Sequence, residues 1–265
     1  MNRDHSYLSD LVNSLQARGN YFLFKKAAKE QLNVTEDALK SSIKRLTQKK
    51  RIVRLKDGLY LIVPIEYKNV NAPPPEWFID QLMNAYKAKY YVGLLTAAAL
   101  HGAAHQQPQI YQVITDKILR PIKVGRVRIM FYFKKEFKDT GIVKRKTSTG
   151  YMCVSSPELT AFDLLRYLKQ SGHIHHVSTV LAELGEEIDS KKLAEIAIEC
   201  SQACLQRTGY ILDYVDFKNK TKELLKYVHK LPSKYYPLRP DKEWNPEIKN
   251  KDWHLYINEE LEPDI

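Results

Sequence analysis

Four groups of residues in this 265-residue chain have types and spacings that could do chemistry. His101 and His105 stand one helical turn apart, as zinc ligands on a helix do. The residue after the first is Gly102, where a hydrolytic zinc helix needs a glutamate as general base, so a packed helix accounts for the pair. His173, His175 and His176 cluster in a glycine-containing connection and could hold a metal, but no cysteine or carboxylate stands close by in sequence; an exposed turn is the plainer reading. Cys200 and Cys204 are too few for a structural zinc site. With Cys153 they form an odd set without framework spacing, as expected of reduced thiols packed in a core. Glu158 and Asp163 could work as an acid and a base, yet Glu158 suits the positive end of a helix and Asp163 a polar helix face. The chain has no glycine-rich phosphate loop and no Gly-x-Ser-x-Gly elbow. The expectation is a protein that is not an enzyme and that uses no metal and no cofactor.

The chemistry that the composition favours is recognition of anions. The net charge is +11, and it is concentrated. Residues 1–64 hold 13 Lys/Arg against 6 Asp/Glu, residues 117–146 hold 11 against 2, and the remainder is slightly acidic. Two basic stretches on such a background suit a protein that neutralises phosphates and releases condensed counterions. No run approaches the ~20 apolar residues that span a bilayer, and the first residues lack the apolar core and cleavage site of a secretory signal. A cytoplasmic protein without a membrane partner is expected.

The first basic stretch is organised by elements that the pattern makes legible. Tyr7, Leu8, Leu11, Val12 and Leu15 recur at helical spacing and stop at Gly19, which predicts a helix over about 4–17. A second short helix is expected over 24–32. A third follows Thr35, a good N-cap, with Glu36 and Asp37 on the positive end and Leu39, Ile43 and Leu46 on one stripe. Its opposite face carries Asp37, Lys40, Ser41, Lys44 and Gln48, with Arg45 on the flank. Two strand-like runs then flank Lys56-Asp57-Gly58, a strong hairpin signal. Helix, helix, helix and hairpin make a winged helix-turn-helix whose partner is double-stranded DNA. Ser41, Lys44 and Gln48 are placed to reach base edges; Lys49, Lys50 and Arg51 form a basic run at the base of the wing, where Lys49, Arg51, Arg54 and Lys56 would pair with phosphates.

Ala72-Pro73-Pro74-Pro75 reads as a short semi-rigid spacer, dividing a DNA-binding domain over 1–70 from a second domain over 76–265. That second domain is predicted to be mixed, with short strands over 110–115, 127–133 and 151–154, then helices near 158–170, 174–185, 190–207 and 213–230. The fold class is therefore α+β, a winged helix followed by a larger mixed domain that becomes mainly helical. Lys117, Arg120, Lys123, Arg126 and Arg128, in the second basic stretch, could extend the DNA-contacting surface or contact RNA, the plainer alternative being a solvated basic face.

The ordered series Arg54-Leu55-Lys56-Asp57-Gly58-Leu59-Tyr60, Tyr90-Tyr91-Val92-Gly93-Leu94-Leu95-Thr96-Ala97, Leu100-His101-Gly102 and Val154-Ser155-Ser156-Pro157-Glu158-Leu159-Thr160-Ala161-Phe162-Asp163 resembles the AbiEi-type antitoxins of abortive-infection toxin-antitoxin systems. Gln206-Arg207-Thr208-Gly209-Tyr210 and the closing Trp253 to Asn258 extend the resemblance over nearly the whole chain. It departs at Leu159-Thr160, where the family more often carries an arginine before the threonine. The resemblance implies a winged helix that represses its own operon at inverted repeats, and a C-terminal domain that counters a nucleotidyltransferase-like toxin without a stable complex. A regulator without a toxin partner, and a nucleic-acid-processing enzyme, are the alternatives.

Overall fold

The computed structural model describes residues 4–103 and 108–263; His105 lies outside them. In chain order the first elements are α1 (Asp4–Ala17), β1 (Phe22–Phe24), α2 (Lys25–Leu32), α3 (Glu36–Gln48), β2 (Ile52–Lys56), β3 (Leu59–Ile62), α4 (Ile79–Ala85), β4 (Tyr90–Val92) and α5 (Leu94–Leu100). There follow β5 (Tyr111–Thr115), β6 (Ile122–Val124), β7 (Val127–Phe133), β8 (Ile142–Thr147), β9 (Gly150–Ser155), α6 (Pro157–Arg166), α7 (His173–Leu184), α8 (Ser190–Ala197), α9 (Gln202–Tyr214) and α10 (Lys218–Val228). Three two-residue strands, β10 (Tyr236–Pro237), β11 (Lys249–Asn250) and β12 (Leu255–Tyr256), close the series. The chain is α+β, with helices and strands first and a mainly helical region after β9.

These elements form two compact units. One comprises Met1–Tyr90, Gln109–Phe137 and Lys144–Cys153; the other comprises Tyr91–Pro108, Lys138–Val143 and Val154–Ile265. The expected division at the prolines follows the chain, whereas these units do not. The mixed sheet has strand order β6-β7-β5-β4-β9-β8, and the chain passes from one unit to the other within β4, β8 and β9.

In the first unit, the apolar stripes of α1 and α3 bury Leu8, Leu11, Val12, Leu39, Ile43 and Leu46 against Leu23, Ala28, Ile52, Tyr60 and Ile62. β3 pairs antiparallel with β1 on one side and β2 on the other, with a bulge between Arg54 and Lys56 that twists the wing. The proline run does not act as a spacer. Ala72 and Pro73 are buried, Pro75–Trp77 is a 3-10 turn, and Trp77 packs on Tyr21 and Tyr67 with centroids 5.8 and 5.2 Å apart. Gln81 accepts from the Tyr21 amide at 2.9 Å and donates to the Gly19 carbonyl at 2.7 Å, which ties α4 to the turn between α1 and β1. Aromatic residues flanking the prolines supply the burial that holds the proline-rich segment down. Gly125 is needed in the same unit: its φ is +56°, and a Cβ there would lie 1.8 Å from the Val70 carbonyl oxygen.

In the second unit, α6 is the central helix. Ser156 caps it, accepting from the Leu159 amide, Pro157 starts it, and every residue from Glu158 to Leu165 is buried among α5, α7, α8 and α9. The single helix expected over 190–207 is two. Tight turns from Glu199 to Ile196 and Cys200 to Ala197 end α8, and α9 restarts after Ser201. α9 runs on to Tyr214, so α10 begins later than the sequence suggests, after Asp216 in the left-handed region at φ +71°. Gly209 on α9 is where the Trp253 ring lies; a Cβ would meet it at 2.1 Å.

Candidate nucleic-acid interface

α3 is built to present charge. Thr35 accepts from the Ala38 amide at 3.3 Å, and Glu36 pairs with Lys25 and Lys29, fixing the second helix against the start of the third. The Lys25 and Glu36 side chains hold one another charged: the amine is raised and the carboxylate lowered, each chiefly by their mutual hydrogen bond. With the apolar stripe buried, Asp37, Lys40, Ser41, Lys44 and Gln48 are all exposed on the opposite face, and Arg45 is half-buried on its flank. Lys40 and Asp37 form an exposed 3.5 Å ion pair, of a kind that contributes little.

The helix ends in a turn that positions the basic run. The Lys50 amide bonds the Thr47 carbonyl and the Arg51 amide the Leu46 carbonyl, with Lys50 at φ +54°. Lys49 and Lys50 are exposed. Arg51, expected to pair with a phosphate, is half-buried. Its Nη2 donates to Asn13 Oδ1 at 2.9 Å and to Gln16 Oε1 at 3.4 Å, so the guanidinium is drawn back onto α1. In the wing, Arg54 is exposed and pairs with Asp57 at 2.8 Å, while the Lys56 ammonium stands 4.3 Å over the Tyr86 ring.

The second basic stretch lies in the same unit as the wing. β6 packs beside β2, and Lys117 donates to the Tyr86 carbonyl at 3.2 Å. Arg120 lines a recess of about 480 Å³ together with Lys56, Tyr86 and Lys87. Lys123 on β6 lies directly opposite Arg128 on β7, both exposed, and Arg126 is exposed in the turn between them. Like charges opposed across a ladder cost stability, and an anion laid over them removes that cost. Tyr86 and Lys87 were missed by sequence reasoning; nothing in local spacing marks a residue that reaches a site only through the turn of another element.

The residues weighed for catalysis are placed differently. The three histidines open α7 instead of an exposed turn: Gly172 at φ +82° and His173 at φ +69° start the helix, and His175 Nε2 lies 2.9 Å from Glu259. Glu158, 2 % exposed, accepts from the Ser156 hydroxyl at 2.7 Å and the Asp189 amide at 2.9 Å. Asp163 is not on a polar face. It is 1 % exposed and accepts from the Tyr91 hydroxyl at 2.7 Å, because α6 is surrounded on all sides. Burial, reinforced by that carboxylate, pushes the Tyr91 phenol far up and that of Tyr167 to about 12. Cys204 donates to the Phe162 carbonyl at 3.2 Å within the same core. His101 Nε2 lies 2.7 Å from the Ser155 carbonyl oxygen, so its ring is engaged with the backbone.

Residues 91–214 match the family model for the AbiEi antitoxin C-terminal domain. Over those residues the chain carries a domain of the AbiEi antitoxin type. Among solved structures, the chain is similar to the crystal structure of the RV2827C protein from Mycobacterium tuberculosis, with a TM-score of 0.64 and 16% identity. That likeness covers 94% of this chain and 90% of the other, and it establishes the fold. No curated protein matches the chain. Among the described residues, no helix is long and apolar enough to cross a membrane.

Proposed function

We propose that this protein is a cytoplasmic, non-catalytic antitoxin that represses its own toxin-antitoxin operon through the winged helix, while its C-terminal domain opposes a nucleotidyltransferase-like toxin without a stable complex. The observation that carries the DNA reading is the exposed row Ser41, Lys44 and Gln48 beside a wing whose basic neighbours, Lys56, Lys117, Arg120, Lys123, Arg126 and Arg128, belong to one compact unit. α3 enters the major groove, with Ser41, Lys44 and Gln48 at base edges. Lys49, Lys50, Arg54 and Lys56 hold the flanking phosphates, and the β6–β7 turn lies further along the same backbone. The antitoxin reading is supported by the AbiEi domain.

Binding of the purified protein to the DNA upstream of its own gene, across a salt series and against an unrelated duplex of equal length, tests the repressor reading. Preference for the upstream duplex with a steep salt slope is expected. Equal, weak binding to both would end it. Co-expression with the toxin encoded beside it should restore growth; growth unchanged from toxin alone would end the antitoxin half.

A further inference from the structure

β10, β12 and β11 form a small sheet in that order, within the second unit. Alternation along β12 sends its side chains to two faces. Trp253 and Leu255 are buried, and Trp253 Nε1 donates to Asp213 at 2.8 Å. His254 and Tyr256 take the other face, where they join a row of five rings. Trp244 stacks on Tyr256 with centroids 4.3 Å apart and planes 17° from parallel. Tyr256 meets Tyr235 at 5.4 Å, Tyr235 meets His254 at 5.1 Å, and His254 meets His229 at 5.9 Å. Trp244 ends the row and is 47% exposed. Among the described residues its ring meets that of Tyr256 alone, and its indole N–H has no acceptor. A tryptophan held by one face and left half in water gains from a flat partner on the other face. Within the row, His254 Nδ1 is buried without a hydrogen-bond partner.

The charges around the rings suit a polyanion that carries flat groups. Lys249 stands 5.6 Å over the Tyr235 ring and Lys234 5.1 Å over that of Tyr236. Residues 229–236 and 249–256, which carry four of the five rings, hold four exposed lysines, Lys230, Lys234, Lys249 and Lys251, against one carboxylate, Asp252. Asp241 and Glu259 are taken by Arg239 and Lys242. Glu243 and Glu247, exposed on either side of Trp244 in sequence, disfavour a phosphate at that end and leave the indole to a neutral ring. We propose that this ring row is a docking surface for an unpaired stretch of RNA. Rings in a row take up bases by stacking, whatever the base, and lysines beside them meet the phosphates. A duplex keeps its base faces stacked inside it, whereas loops and ends of RNA can splay them out.

The test uses the full-length protein and an oligouridylate of about 12 nucleotides, read by tryptophan fluorescence and by anisotropy of the labelled strand. Wild type is expected to bind, with its fluorescence quenched as a base covers Trp244. Trp244→Ala should weaken binding about tenfold and abolish the quenching, while Trp244→Phe should keep most of the affinity. Lys249→Gln should flatten the salt slope by about 0.7, the share of one phosphate on a single strand. Lys44→Gln, in the first unit, should change none of this, and Trp244→Ala should bind the upstream duplex as wild type does. Equal affinity in wild type and Trp244→Ala, equal weakening by Trp244→Ala and Lys44→Gln, or no binding overturns the surface. Quenching by a proline-rich peptide but not by oligouridylate would assign the rings to a protein partner and also overturn it. Trp244-dependent oligouridylate binding in a protein that prefers no duplex would keep this surface and reject the repressor reading alone.

Discussion

α3 and α6 are both capped helices with charged residues along them, and they use those charges in opposite ways. α3 buries one stripe and leaves Lys40, Lys44 and Gln48 in water, where each is weakly held by its own protein. α6 buries everything from Glu158 to Leu165, and its two carboxylates accept hydrogen bonds from Ser156, Asp189 and Tyr91. A charge that the fold satisfies is committed to the fold; one that it leaves in solvent is open to a partner. The same contrast separates Arg51, drawn onto α1, from Lys44, left exposed on α3.

The largest effect that can break this comparison is at Asp163. Replacing it with alanine strands the buried Tyr91 hydroxyl and should cost about 3 kcal/mol in urea unfolding, with DNA affinity per folded molecule unchanged. A loss of DNA binding beyond the unfolded fraction would mean that α6 serves the interface. Gly209→Ala should come next, at about 1–3 kcal/mol, because the new Cβ meets the Trp253 ring. A wild-type melting curve would show that the Trp253 packing is dispensable.

On the other side of the comparison, Lys44→Ala should leave stability within about 0.5 kcal/mol and relax sequence choice by about 1–3 kcal/mol, whereas Lys56→Ala should weaken all duplexes alike. Competition against scrambled duplexes reads the difference, and identical losses would dissolve the distinction between reading and holding. Lys50→Gly should stabilise by about 0.5–1 kcal/mol, since glycine relieves the left-handed turn after α3. Destabilisation would instead show that the lysine side chain holds the turn.

The smallest effect is a pH dependence at the C-terminal strands. Hydrogen bonds from Lys242, His175 and Arg239, led by Lys242, hold the Glu259 carboxyl at about 2 instead of its ordinary 4.5. A depressed folded value means stability fully present above about pH 4.5 and lost as the pH falls toward 2. Tryptophan fluorescence of wild type across that window should fall more steeply than that of Glu259→Gln; parallel curves would remove Glu259 as the cause.

Much of the first unit was legible because it is local. Thr35, the Leu39-Ile43-Leu46 stripe and Asp57-Gly58 each act within a few residues, so cap, stripe and turn could be read directly and placed Lys44 and Gln48 correctly on the exposed face. The resemblance carried by Tyr91 to Asp163 was legible as order and spacing, and the AbiEi domain match bears it out. The strands β1, β4, β6 and β8 escaped notice, being short or heavily charged, and their identity comes from the neighbours that pair with them.

By itself the sequence determined the α+β class, the helices and the β2–β3 hairpin of the first unit, and the location of positive charge. The tertiary structure alone decided that Arg51 turns inward, that Asp163 is buried, that the prolines pack down, and that the 117–128 segment joins the unit of the wing. The physical reason is common to all four. Propensity and pattern act over one or two turns of chain, whereas burial and the choice of a charge's partner depend on residues tens of positions away, which only the folded chain brings within reach.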